Sequence, residues 1–216
     1  MKRYSRESAL AHRNLVADGV RLLMLSKLLE YVRGLSEGDY AEVGTWRGYT
    51  AREILADMAD GARLYCFDTF EGFDESDVAV EEKWVNDATK RGVFTNTSEA
   101  AAREIILDGR QDADRLVMRK GLFPQTFAGL EDHRWRFVHL DVDLYNPTHD
   151  ALELFYDRLV PGGVVLLHDY DNAWAGVKKA ADAFFEDRGI VPVPLCDKAG
   201  SAVIIKHRPA RAMPKL

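Results

Sequence analysis

Apolar residues at the start of the chain recur at helical spacing. Leu15, Leu22, Leu25, Leu29 and Val32 fall on one face, and Gly34 stands where such a helix stops. Beyond it the pattern alternates. Residues 40–43, 64–67, 116–118, 137–140 and 164–167 are short apolar runs of the kind that form buried strands. Helical patterns lie between and after them, as in Ala151, Leu152, Phe155 and Leu159, and again in Trp174, Val177, Ala181 and Phe184. Strands alternating with helices predict an α/β fold, a mostly parallel sheet with helices on both faces. The last two runs, 191–195 and 202–206, are separated only by residues 196–201, too few for a crossover helix. They predict an antiparallel hairpin at one edge, making seven strands in all. The reading gives an N-terminal helical segment, 1–36, packed on a single domain over 37–216. Residues 73–97 have no sustained period, and a stretch of that length reads as a lid loop with a short helix around Trp84. Trp84 and Phe94 either cover a ligand there or pack locally.

After the first strand comes Glu42-Val43-Gly44-Thr45-Trp46-Arg47-Gly48-Tyr49-Thr50, which opens a helix. In open α/β sheets, ligands sit beyond the carboxyl ends of the strands. The first amides of a helix there hold an anion, and glycines let its backbone approach. A dinucleotide turn needs Gly-x-Gly-x-x-Gly, but Trp46 and Tyr49 stand in the second and third glycine places. A nicotinamide cofactor is therefore disfavoured, and a smaller anion such as an amino-acid carboxylate fits. The next strand ends in Asp68, 24 residues after Gly44, near the distance at which an acid meets ribose hydroxyls. A strand-terminal Asp is also a common turn former. In this order the signals favour an adenosine-bearing cofactor without pyrophosphate, and S-adenosylmethionine is the candidate.

Arg136 to Leu140 leads into Asp141-Val142-Asp143. Spacing of two in an extended chain puts both carboxylates on one face. Asn146-Pro147 supplies an N-cap and a first-turn proline for the following helix, so neither aspartate is needed for capping. A further strand ends in His168-Asp169-Tyr170. Because carboxyl ends of parallel strands share one edge, Asp141, Asp143 and Asp169 converge beside the glycine turn. Three such carboxylates repel unless a cation compensates them, and oxygen ligands suit Mg²⁺ or another hard dication. His168 is either an imidazole ligand, which favours transition metals, or a core-facing histidine held by a backbone carbonyl. His139, on the strand itself, reads as a core histidine. Asp-x-Asp after an apolar strand also occurs in haloacid-dehalogenase-like phosphatases, but Tyr145 stands where they carry Thr.

Composition narrows the classes. The chain has 216 residues, 47% hydrophobic and 30% charged, with a net charge of −6. The acidic balance argues against a nucleic-acid partner. No apolar run reaches the length of a membrane span, and residues 1–11 lack a signal-peptide pattern, so a cytoplasmic location is expected with no membrane partner. Cys66 and Cys196 make no disulfide framework.

Residues 42–50, Phe67-Asp68-Thr69-Phe70-Glu71-Gly72-Phe73, Lys120-Gly121-Leu122-Phe123 with Thr126, residues 140–145 and His168-Asp169-Tyr170 occur in order. Together, over residues 39–185, they resemble the macrocin O-methyltransferase family, whose members methylate sugar hydroxyls on macrolide and aminocoumarin antibiotics. The resemblance implies a Rossmann-like class I methyltransferase using S-adenosylmethionine and Mg²⁺ on a small-molecule hydroxyl acceptor. Glu42, Gly44, Thr45, Gly48, Tyr49, Asp68, Thr69 and Gly121 then fall in the cofactor site. Asp141 and Asp169 match metal ligands and Asp143 the general base. His168 replaces the first member of an Asp-Asp pair. The first helix reads as a cover on the sheet edge, with a homodimer contact as the lesser alternative that the family's self-association implies. A metal-dependent phosphohydrolase and a non-catalytic cofactor-binding protein are the competing readings.

Overall fold

The computed structural model describes residues 19–84, 92–171 and 174–207. Leu15 and the rest of 1–18 lie outside them, as do 85–91 of the expected lid. Seven strands form one sheet: β1 (Asp39–Val43), β2 (Leu64–Asp68), β3 (Leu116–Lys120), β4 (Trp135–Leu140), β5 (Leu159–Leu167), β6 (Val193–Pro194) and β7 (Ala202–Ile205). Their order is β3-β2-β1-β4-β5-β7-β6. The first five are parallel, whereas β7 runs antiparallel to β5 and β6 antiparallel to β7. The expected hairpin is present, but its outer strand has only two residues. Pro194 has no N–H to extend the ladder.

Strand pleating divides the core in two. Ala41, Val43, Phe67, Val138, Leu140, Val165 and Leu167 face one side, where α5 (Tyr145–Phe155) and α6 (Ala175–Glu186) bury Leu152, Phe155, Ala181 and Phe185. Tyr40, Leu64, Cys66, Phe137, Val164 and Leu166 face the other. That side is covered by α1 (Gly19–Arg33), α2 (Tyr49–Asp57) and α4 (Glu99–Leu107). Leu25, Leu29 and Val32 of α1 are buried there, so the stripe read in the sequence covers the sheet. Each such side chain contributes roughly 2 kcal/mol by leaving water. Among the described residues no helix is long and apolar enough to cross a membrane.

Several local expectations are corrected. β4 ends at Leu140 and Asp143 has φ 61°, so Asp141 and Asp143 are not alternate residues of an extended strand. Helix α5 starts at Tyr145 with Leu144 as N-cap. Asn146 lies inside the helix, where its Nδ2 donates to Asp77 Oδ1 at 2.8 Å, and Pro147 is tolerated in a first turn whose N–H groups have no intrahelical partner. Leu159 belongs to β5, beyond a 3₁₀ turn at Tyr156–Arg158. Trp174 precedes α6 as its N-cap residue.

The segment read as a lid begins with packed structure. Helix α3 (Glu75–Glu81) is capped by Asp74, whose Oδ1 accepts from Ser76 N. It ends before Trp84, which instead rests on Tyr145 with ring centroids 5.0 Å apart. Glu81, fully buried, accepts from Gly176 N at 2.9 Å, placing a carboxylate at the start of α6 where the helix dipole favours it. A Cβ on Gly176 would run into that carboxylate and the Tyr145 amide.

The ends of four central strands, β2, β1, β4 and β5, are fastened to one another. Gly44 N donates to Phe67 O, Asp141 N to Val43 O and His168 N to Leu140 O, each at 2.9 Å. Gly44 has φ 86°, and a Cβ there would overlap the Asp141 carbonyl. Gly44→Ala is expected to cost about 3 kcal/mol, combining left-handed strain with a backbone clash. Urea unfolding measures it; a loss below about 1 kcal/mol would show that the strand ends part easily.

Candidate active site

A cavity of about 390 Å³ opens at the carboxyl edge of the sheet. Glu42, Gly44, Thr45, Gly48, Tyr49, Asp68, Thr69, Gly121, Asp141, Asp143, His168 and Asp169 all line it, so the fold brings together every site residue expected from the sequence. At one end the chain turns at Gly48, with φ 83°, into α2, whose start carries no side-chain cap. A helix start of this kind is where an anion is held. Asp68 braces this turn. Oδ2 accepts from Trp46 N at 2.7 Å and Oδ1 from Phe70 N at 2.6 Å. Burial raises its pKa, opposed by these N–H groups and that of Thr45. A carboxylate offers about four acceptor positions, so capacity remains for a ligand. Thr69 Oγ1 donates to Gly72 O, and Gly121 N donates to Asp68 O.

Beneath the turn, Glu42 and His139 pair in register across β1 and β4. Glu42 Oε1 lies 3.1 Å from His139 Nδ1, and both side chains are buried. Burial, with the nearby Asp141 charge, pushes the Glu42 carboxyl well up, and burial pushes His139 down to about 3. His139 is a core histidine, as read, although its partner is a carboxyl group.

At the other end, His168 Nδ1 lies 2.7 Å from Asp141 Oδ1 and 2.6 Å from Asp169 Oδ2. Two carboxylates therefore hold this histidine, in place of the backbone carbonyl considered for it. Burial opposes its charge, but the Asp141 and Asp169 carboxylates prevail and raise it to about 10. Arg21 from α1 donates through Nη2 to Asp141 Oδ2 at 3.0 Å. His168 and Arg21 outweigh burial and hold the Asp141 carboxyl far below the usual range. Asp143 is driven the other way, by burial and then by Asp141 and Asp169. One ligand atom each from Asp141, His168 and Asp169 lies within 4.8 Å of the others, a spacing compatible with one metal ion. His168 Nε2 is buried without a hydrogen-bond partner. This donor set of two carboxylates and an imidazole fits a divalent cation, with nitrogen shifting preference from Mg²⁺ toward transition metals.

Sequence reading missed two parts of the cavity wall. Arg21 carries no local signal, being 120 residues from Asp141. An aromatic chain was also hidden: Trp46 meets Phe94 at 5.3 Å, Phe94 meets Phe73 at 5.3 Å, and Phe73 meets Trp174 at 5.7 Å. All four line the cavity. Trp46, read only as an obstacle to pyrophosphate, also donates through Nε1 to Asn96 Oδ1, and Thr97 Oγ1 donates to its carbonyl. Of the two aromatics suggested as a cover, Phe94 lines the cavity and Trp84 does not.

Comparison with known proteins agrees with this geometry. The tetracenomycin-type rhamnosyl 4'-O-methyltransferase of Streptomyces olivaceus is 31% identical over 183 residues, 81% of this chain and 68% of that protein. Mycinamicin III 3''-O-methyltransferase of Micromonospora griseorubida is 31% identical over 142 residues, 62% of this chain but only 55% of its own length. Among solved structures, the O-methyltransferase NovP superposes with a TM-score of 0.73 at 25% identity, covering 87% of this chain and 80% of that one. The phosphohydrolase reading is set aside by these matches. The macrocin-O-methyltransferase (TylF) family model matches residues 16–205, and the chain belongs to that family of S-adenosylmethionine-dependent O-methyltransferases.

Proposed function

We propose that the chain methylates one hydroxyl of a vicinal pair on a glycoside or similar small natural product. The convergence of Asp141, Asp143, His168 and Asp169 beside the helix-start cofactor pocket carries this reading. The rhamnosyl group in the name of the Streptomyces olivaceus relative supports it.

In this reading the turn from Gly44 to Tyr49 and the start of α2 hold the methionine carboxylate, with Glu42 and Thr45 beneath them. Asp68 receives the ribose hydroxyls, flanked by Thr69 and Gly121. The cofactor supplies a methyl group already activated on a sulfonium, so the protein's tasks are alignment and deprotonation of the acceptor. A divalent cation would be held by Asp141, Asp169 and His168, where it would lower the pKa of a bound hydroxyl. Asp143 takes the acceptor proton. It is buried beside Asp141 and Asp169, within the same cavity as the helix-start pocket. Phe73, Phe94 and Trp174 close the cavity with apolar surface that stacks on a ring, and residues 73–97 act as the lid.

Asp143→Asn is expected to reduce turnover by at least about 10³-fold while S-adenosylhomocysteine binding by calorimetry changes less than about threefold. Turnover within tenfold of the parent would remove Asp143 from the base role. Stripping divalent ions with EDTA is expected to abolish methyl transfer to a glycoside acceptor, and Mn²⁺ should restore it better than Mg²⁺. Full activity in a rigorously metal-free sample would remove the cation from the reaction.

A further inference from the structure

Both oxygens of Asp141 are engaged by this chain's own nitrogen groups, Oδ1 by His168 and Oδ2 by Arg21. Arg21 belongs to a helix that otherwise serves as a cover on the sheet, yet its side chain reaches the cavity and is only 16% exposed. A guanidinium so placed satisfies Asp141 and offsets the repulsion among three neighbouring carboxylates. It also sets a fixed positive charge one side chain away from where a dication would sit, in a half-buried setting where screening is weak.

We propose that Arg21 is an internal counter-cation for Asp141, opposing divalent ions at the Asp141–His168–Asp169 site and coupling ion loading to the docking of α1. The proposal rests on the ion-binding reading given above. Removing the guanidinium strengthens ion binding. By linkage, a bound ion must weaken the hold of α1 on the site by the same factor. Its effect passes through Asp141, to which it donates.

Mn²⁺ binding to the full chain, followed by the electron paramagnetic resonance of the free ion, tests this without turnover. Arg21→Met is expected to lower the Mn²⁺ Kd about tenfold, the scale of one removed like charge at a partly screened site. Arg21→Gln, polar and of similar reach, should do the same and serves if the methionine variant does not fold. Lys27→Met on the same helix removes a charge paired with Glu30 at the surface, and should leave the Kd unchanged. Hydrogen exchange should show residues 19–25 opening more often when wild-type protein is saturated with Mn²⁺, and no such response in Arg21→Met. Equal or weaker Mn²⁺ binding in folded Met and Gln variants overturns the proposal and leaves the methyltransferase reading intact. Absence of Mn²⁺ binding by the wild-type protein at millimolar ion would overturn both this inference and the metal-assisted part of that reading.

Discussion

The approach of Gly44 to the Asp141 carbonyl governs the whole carboxyl edge of the sheet. No side chain fits between them, so β1 and β4 finish in contact and their following residues leave from nearly the same point. One chain departs toward the start of α2, the other toward the acidic cluster. The uncapped start of α2 and the Asp141–Asp143 turn are thus neighbours because two backbones touch. Hydrogen bonds from Gly44 N to β2 and from His168 N to β4 extend this fastening across four strands.

Backbone strain gathers at the same edge. Trp46, Phe70, Asp143 and Asp169 all adopt left-handed φ values between 46° and 61°, which L-residues with side chains seldom do. Each follows a strand end. The N–H groups of Trp46 and Phe70 both donate to Asp68. Strain of this kind concentrates at functional sites, where it aims side chains that regular structure would send elsewhere. Asp143 shows the effect: extended geometry would have presented it by alternation, whereas here a reversal of the chain puts it in reach of Asp169.

Much of the architecture was legible because it is local. The helical stripe of α1, the apolar strand runs and the short link between the last two strands each record a period or a length. The twelve candidate residues were legible for a related reason: parallel strands carry all their carboxyl ends to one edge. What could not be read depended on contacts distant in sequence. Asn146 sits inside its helix rather than capping it, and gives its amide to Asp77, 69 residues earlier. Arg21 meets Asp141 through the packing of a whole helix. The aromatic chain from Trp46 to Trp174 draws on four separate segments, and nothing in any one of them marks the others. His168 lay between these cases, since its position was legible but its carboxylate partners were not.

The buried contact between Glu81 and Gly176 has a consequence for how such a chain can change. A carboxylate fills the space that any side chain at 176 would need, and the backbone N–H at 176 donates to one of its oxygens. Shortening Glu81 alone leaves a polar hollow, and enlarging Gly176 alone creates a collision. Viable substitutions at these two places, 95 residues apart, must therefore arrive as a matched set, and an evolutionary record of the family should show them drifting in step.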